Sequence, residues 1–262
     1  MSWAGLKKSV NRAGTLMLQK TSQVDKTVDS EFAEEEARYR TLEKEAMTLQ
    51  KEAKAYLDSV RGLSSAQARI GETVASFYTD SSEAAMAATA YKKATEELDG
   101  KCQRELDAPF RATILEPIGR LCASFPEINK TIEKRSRKLI DYDAARTKHR
   151  KLIEKPSDDP SKLPRAEREM EDAKILFEQL NNQLLEELPQ LIDLRIPYLD
   201  PSFEAMVRMQ ARFAGEGYEK MGGVQRFFAD GVREEYAEGQ LDVQVEGVLQ
   251  EMRELSICGM GN

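Results

Sequence analysis

From Phe32 onward the apolar side chains return at steps of three and four: Phe32, Tyr39, Leu42, Ala46, Leu49, Ala53, Tyr56, Val60 and Leu63. A seven-residue repeat held for more than four heptads is the pattern of helices packed in the manner of a coiled coil. Charged positions such as Glu43, Lys44, Lys51 and Glu52 occupy the other faces. A second series, Ala166, Met170, Ala173, Phe177, Leu180, Leu184, Leu188 and Leu191, follows the stretch KPSDDPSKLPR (155–165). Ser and Asp set between prolines make that stretch a turn. The alternation of a half-buried strand is missing, so the fold class is all-α. The pattern predicts three long helices, over 22–78, 83–155 and 163–240. The first break falls at YTDSSE (78–83), where Asp80 or Ser81 would cap the second helix. Helices of some 70 residues would be about 100 Å long at ~1.5 Å per residue. Rods of that length predict a thin bundle whose surplus apolar surface needs a partner, most simply another copy of the chain. Pro117, Pro126, Pro189, Pro197 and Pro201 fall inside the second and third rods. Each removes a backbone hydrogen bond, so kinks are expected there. Near the end, Leu241, Val245, Val248, Leu249 and Met252 predict a short helix packed back on the bundle.

Composition then narrows the functional classes. With 40% hydrophobic and 32% charged residues, the chain is too apolar to be disordered. No stretch approaches the ~20 apolar residues of a membrane-spanning helix. The opening MSWAGLKKSV lacks the apolar run of a secretory signal, the terminal GMGN is not a prenylation box, and Ser2 excludes myristoylation. Cys102, Cys122 and Cys258 are odd in number and far apart, which fits thiols in a reducing cytoplasm. His149 is the only histidine and lies among Lys148, Arg150 and Lys151. No nucleophile–base–orienter set can be assembled around it. The glycines of AGEGYEKMGG (214–223) lack the context of a phosphate-binding loop. No catalytic residue, cofactor or metal ligand is assigned, and the chain is not expected to be an enzyme.

Charge changes the picture most. The stretch KRSRKLIDYDAARTKHRKLIEK (134–155) carries +6 in a chain whose net charge is −7, leaving −13 for the remainder. Lys134, Arg137 and Lys138 share a helical face, with Arg135 to the side. Lys148, Arg150, Lys151 and Lys155 approach the turn, and Lys162 and Arg165 lie just across it. Such a run is compatible with a solvated helix face, a nucleic-acid arm or an anionic membrane surface. Residues 1–20 hold Lys7, Lys8, Arg12 and Lys20 and no acid. On a helical wheel Trp3, Leu6, Val10, Ala13 and Met17 fall on one side, with Lys8 and Arg12 opposite. A basic amphipathic segment with a Trp near its start suits a helix lying in a bilayer interface; a helix docked on the bundle or a loose tail are the plainer readings. Nucleic acid would not require the apolar stripe. A coiled-coil scaffold without lipid binding is the competing reading, since it needs only the heptads.

The run FPEINKTIEKRSRKLIDYDAAR (125–146) and, after the turn, AEREMEDAKILFEQLNNQLLEELPQL (166–191) closely resemble the amphiphysin-type N-BAR domain. MSWAGLKKSVNRAG, NNQLLEELPQLIDLRIPYLDPSFEA (181–205) and ELSICGMG (254–261) are similar to the short fungal branch of that family, named for reduced viability upon starvation. The resemblance covers essentially the whole chain. It implies a crescent-shaped antiparallel dimer of kinked three-helix coiled coils, which binds and bends anionic, curved membranes, with 1–20 as a membrane-inserting segment, 21–240 as the BAR domain and 241–262 as a helical extension. By motif, the concave-face basic residues of the family fall on Lys134 and Arg137, with Arg135 and Lys138 beside them. The basic tip falls on Lys148, Arg150, Lys151, Lys155 and Lys162, and the inserting segment on Trp3, Leu6, Lys7, Lys8, Val10 and Arg12. Asp158 and Asp159 depart from the family's basic tip. The resemblance further implies a cytoplasmic protein, peripheral at the plasma membrane and cortical actin patches. It would act in endocytic vesicle scission and cell polarity, as a homodimer or paired with a longer relative bearing the Src-homology-3 domain that this chain is expected to lack.

Overall fold

The computed structural model describes residues 3–21, 24–78, 82–229, 231–255 and 257, with only the backbone described for 3–7 and 233. Among the described residues every regular element is helical, and no helix is long and apolar enough to cross a membrane. A first helix, α1, spans Trp3–Lys20 and the first long rod, α2, spans Ser30–Phe77. The second rod opens with α3 (Glu83–Lys101), passes through a π-helical stretch at Cys102–Asp107, the single turn α4 (Ala108–Phe110) and a second π-helical stretch at Arg111–Leu115, and continues as α5 (Glu116–Glu154). The third rod is α6 (Lys162–Gln225), followed by the short α7 (Val232–Ala237) and by α8 (Gln240–Glu254).

Local chemistry sets these limits, and several differ from the sequence expectation. α2 starts at Ser30 rather than near 22 because Asp29 caps it: its carboxylate accepts the Phe32 amide at 3.1 Å, satisfying one of the orphan amides of the first turn. The cap of α3 is Ser82, whose hydroxyl accepts the Ala85 amide at 3.2 Å; Asp80 and Ser81 lie outside the described residues. The third rod stops at Gln225, not 240. Gly239, in the left-handed region at φ 74°, then turns the chain into α8, a backbone geometry glycine adopts without a Cβ penalty. Helical structure runs through Pro126, Pro189, Pro197 and Pro201. In the second rod the departures from α geometry are the two π-helical stretches, both upstream of Pro117.

The chain divides into two compact units that do not follow chain order, residues 1–56 with 110–206 and residues 57–109 with 207–262. In the first, one seam from each rod builds the core: Phe32, Tyr39, Leu42 and Ala46 of α2, Phe125 and Ile132 of α5, and Leu184, Leu188 and Ile192 of α6. Burying each large apolar side chain contributes roughly 1.5–3 kcal/mol before entropic costs. Tyr39 meets Phe125 edge to face at 6.1 Å, and its hydroxyl donates to the Phe125 carbonyl and to Asn129. The second unit has a finer grain. Ala85, Ala87, Ala88, Ala94 and Leu98 of α3 are buried there with Leu57 and Val60 of α2. Gly71 lets α2 approach α3 so closely that a Cβ would stand 2.4 Å from Thr95 Oγ1. The heptad reading slips by one residue along α2: Leu57 and Ser64 are buried where Tyr56 and Leu63 were expected, and Leu63 is exposed. A straight helix of 3.6 residues per turn drifts ~20° per heptad against a 3.5-residue repeat, which accounts for the slip. α8 forms as expected but buries no residue, so it is not packed back on the bundle.

Candidate membrane-facing surface

The basic stretch lies entirely in the first unit, on α5 and the start of α6. Lys134 is exposed and has no carboxylate within ion-pair distance among the described residues, while the exposed Arg137 pairs with Glu133 one turn back at 2.8 Å. Lys138 is half-buried and lines an open groove against α1. Arg135 corrects the sequence expectation. It is only 4% exposed and cannot meet a headgroup from that position. It continues the core seam of α5, three residues after Ile132 and ten after Phe125. Its guanidinium lies 3.8 Å from the ring centre of Phe32 and 5.0 Å from that of Phe177. It donates to Asn181 Oδ1 at 2.8 and 2.6 Å and pairs with Asp29. Burial pulls its pKa down, against the opposing pull of Asp29. One arginine thus ties the start of α2 to α5 and α6.

At the turn, Lys151, Lys155, Lys162 and Arg165 are exposed, and none has an ion-pair partner among the described residues. Lys148 pairs with Glu169 at 2.6 Å, and Arg150 pairs with Asp25 and Glu154. Exposed pairs of this kind typically contribute under about 1 kcal/mol, so a denser anionic surface can compete for these cations. Lys148, Lys151, Lys162 and Arg165 line a groove of about 620 Å³ that Leu18 and Val24 close on the side of α1. Thr147 also lines it, and its buried hydroxyl has no hydrogen-bond partner among the described residues. Of the two acids in the turn, Asp158 is exposed, whereas Asp159 serves the backbone. It accepts from the Ser161 hydroxyl and amide at 2.7 and 2.9 Å, which hold its carboxyl below the usual range.

In α1, Lys8 and Val10 are exposed, and the side chains of Trp3, Leu6 and Lys7 lie outside the described residues. Arg12 is the second correction. Expected among the membrane-contacting residues of the inserting segment, it instead turns onto α5 and forks both oxygens of Asp141 at 2.8 and 2.7 Å, and the hydrogen bond raises its pKa. Asp143, 1% exposed, accepts from Gln19, from the amide and hydroxyl of Thr27, and from Arg146. In the sequence Asp141 and Asp143 are two of the acids inside the basic stretch 134–155, with nothing that marks them as contacts of α1. Apart from Arg146, three residues after Asp143, their partners Arg12, Gln19 and Thr27 lie more than 110 residues away in sequence.

A sequence profile described as BAR domain matches residues 6–229. The chain belongs to the BAR-domain family. It is 55% identical over 262 residues to Protein hob3 of Schizosaccharomyces pombe, spanning 100% of this chain and 99% of that one. It is 44% identical over 265 residues to Reduced viability upon starvation protein 161 of Saccharomyces cerevisiae, again spanning 100% and 99%. The solved amphiphysin BAR domain from Drosophila is 25% identical, with a TM-score of 0.59 over 82% of this chain and 97% of that structure. The fold is the all-α BAR fold, and the family's work is the shaping of membranes, structural rather than catalytic.

Proposed function

We propose that this BAR protein binds anionic membranes reversibly and bends them or senses their curvature, acting as a dimer. The observation that carries this reading is the set of exposed cations without carboxylate partners among the described residues, Lys134, Lys151, Lys155, Lys162 and Arg165, in a chain whose net charge is −7. Each basic residue near an anionic leaflet contributes roughly 1 kcal/mol, weakened by salt, and a dimer doubles the number. Dimerisation is supported by the apolar surface left open on the second unit, where Leu63, Ile70, Phe77, Met86, Tyr218 and Phe228 are exposed. The second chain is a copy of this one or a longer relative bearing a Src-homology-3 domain. Its setting is endocytic vesicle scission at cortical actin patches on the plasma membrane, with a link to cell polarity; the actin machinery is reached indirectly.

Co-sedimentation with vesicles across a salt series tests the reading. Wild type is expected to pellet with vesicles containing phosphatidylserine and phosphoinositide, not with neutral ones, and to be released as salt rises. Lys134→Glu with Arg137→Glu, and separately Lys151→Glu with Lys155→Glu and Lys162→Glu, should stay in solution while keeping their helical circular dichroism. Wild type that ignores anionic vesicles at low salt, alone and with the longer relative, would favour the lipid-indifferent scaffold.

A further inference from the structure

A docked amphipathic helix ordinarily turns its apolar stripe to the protein and its polar face to water. α1 does the reverse. Among the described side chains, its polar contacts with the rest of the first unit run through Arg12 and Gln19, with Thr15 buried between them: the fork to Asp141 and a hydrogen bond from Gln19 to Asp143 at 2.9 Å. At 3.6 residues per turn these three lie nearly opposite Val10, Ala13 and Met17. Val10 is 64% and Met17 73% exposed. The end of the helix is fixed as well. Val24 is buried, its amide donates to the Leu18 carbonyl at 3.3 Å, and Thr27 gives Asp143 two further hydrogen bonds.

We propose that α1 meets the bilayer while still pinned to α5, and that Asp141 is the positioning residue that aims its apolar stripe at the lipid. This inference rests on the membrane reading above. The occupant of the stripe is an anionic bilayer interface rather than another protein face. α1 contains no acidic residue, and its exposed cations among the described side chains are Lys8 on the polar face and Lys20 at the edge of the stripe; the groove behind it, against α5, mixes Lys138 and Lys148 with Asp141, Glu169 and Asp172. A helix with basic residues and no acid, its apolar stripe turned outward, is the pattern of an interfacial helix. Release of α1 on binding would break the two charge-assisted bonds of the fork and take a donor from the buried Asp143. Insertion in place keeps all of them.

The single tryptophan, Trp3, reports on α1 by its fluorescence. The full-length wild type is compared with Asp141→Asn, which removes the charge at constant shape, and with the swap Arg12→Asp/Asp141→Arg. In buffer, amide exchange over residues 8–20 is expected to be at least tenfold faster in Asp141→Asn than in wild type, and restored to within about threefold by the swap. On anionic vesicles carrying lipids brominated near the glycerol end of the chain, wild type and swap should show strong Trp3 quenching and form tubules. Asp141→Asn should bind no more weakly than wild type but lose at least half of both signals. Three results overturn the proposal: exchange over 8–20 already at unfolded rates in wild type; Asp141→Asn quenching and tubulating as well as wild type, which makes the fork a bystander; or doing so better, which makes it a lock that the membrane opens. If wild type exchanges slowly in buffer yet does not pellet with anionic vesicles, the pinning stands and the bilayer as occupant falls together with the membrane reading.

Discussion

Arg135 and Lys134 are neighbours in sequence with opposite consequences when lost. Truncating Arg135 to Ala removes a nearly enclosed guanidinium that bonds Asn181, pairs with Asp29 and covers the ring of Phe32. It leaves the Asp29 carboxylate, 17% exposed, facing a cavity without its partner. Breaking a buried pair from one side costs about 3–5 kcal/mol, and the lost cation–π contact lies within that figure. For a chain of this size each kcal/mol moves the unfolding midpoint by roughly 2–4 °C, so Arg135→Ala should melt some 6–20 °C lower. Lys134→Ala should melt within about 2 °C of wild type, as an exposed substitution does. The assay is circular dichroism at 222 nm at matched protein concentration. Arg135→Met alone should share the defect, and Arg135→Met with Asp29→Asn should recover much of it, because the orphaned charge is then gone. Arg135→Lys should also destabilise, since an ammonium cannot fork Asn181 and Asp29 together. A stability for Arg135→Ala within 0.5 kcal/mol of wild type, accompanied by loss of vesicle binding, would refute this reasoning and return Arg135 to the lipid-facing set.

Glycine in mid-helix normally costs about 1 kcal/mol relative to alanine. Gly62→Ala, with open space around its Cβ, should therefore stabilise, whereas Gly71→Ala should destabilise because its Cβ meets Thr95 and the Lys92 backbone; urea midpoints would separate the two. Burial pushes the Tyr39 hydroxyl up to about 12, above the ~10 of an exposed tyrosine. Between those values the unfolded state has released its proton and the folded state has not, so this contribution is whole below pH 10 and is lost as pH rises through 12. Tyr39→Phe should flatten that fall in an alkaline stability profile. Glu169→Gln should free Lys148 from its 2.6 Å pair and raise the salt concentration at which anionic vesicles release the protein; an unchanged midpoint would remove Lys148 from the lipid-facing set.

The helices, their approximate lengths and the seam that joins them are legible in the residue pattern alone, because the apolar period of a long helix is repeated often enough to average out single exceptions. So is the place where positive charge accumulates, since charge is a property of residue type. Position relative to the seam was a different matter. Arg135 stood in register with Phe125 and Ile132, a signal present in the sequence, yet its charge outweighed its register; only Phe32, Phe177, Asp29 and Asn181, arriving from two other helices, show why a cation is tolerated inside. The wheel of α1 revealed an apolar stripe and an opposite polar face but could not say which one touches the protein. That choice rests on Asp141 and Asp143, more than 120 residues away from Arg12 and Gln19 along the chain. Local periodicity fixes what a helix can offer; which of its faces is used is settled by partners that only tertiary structure brings within hydrogen-bonding distance.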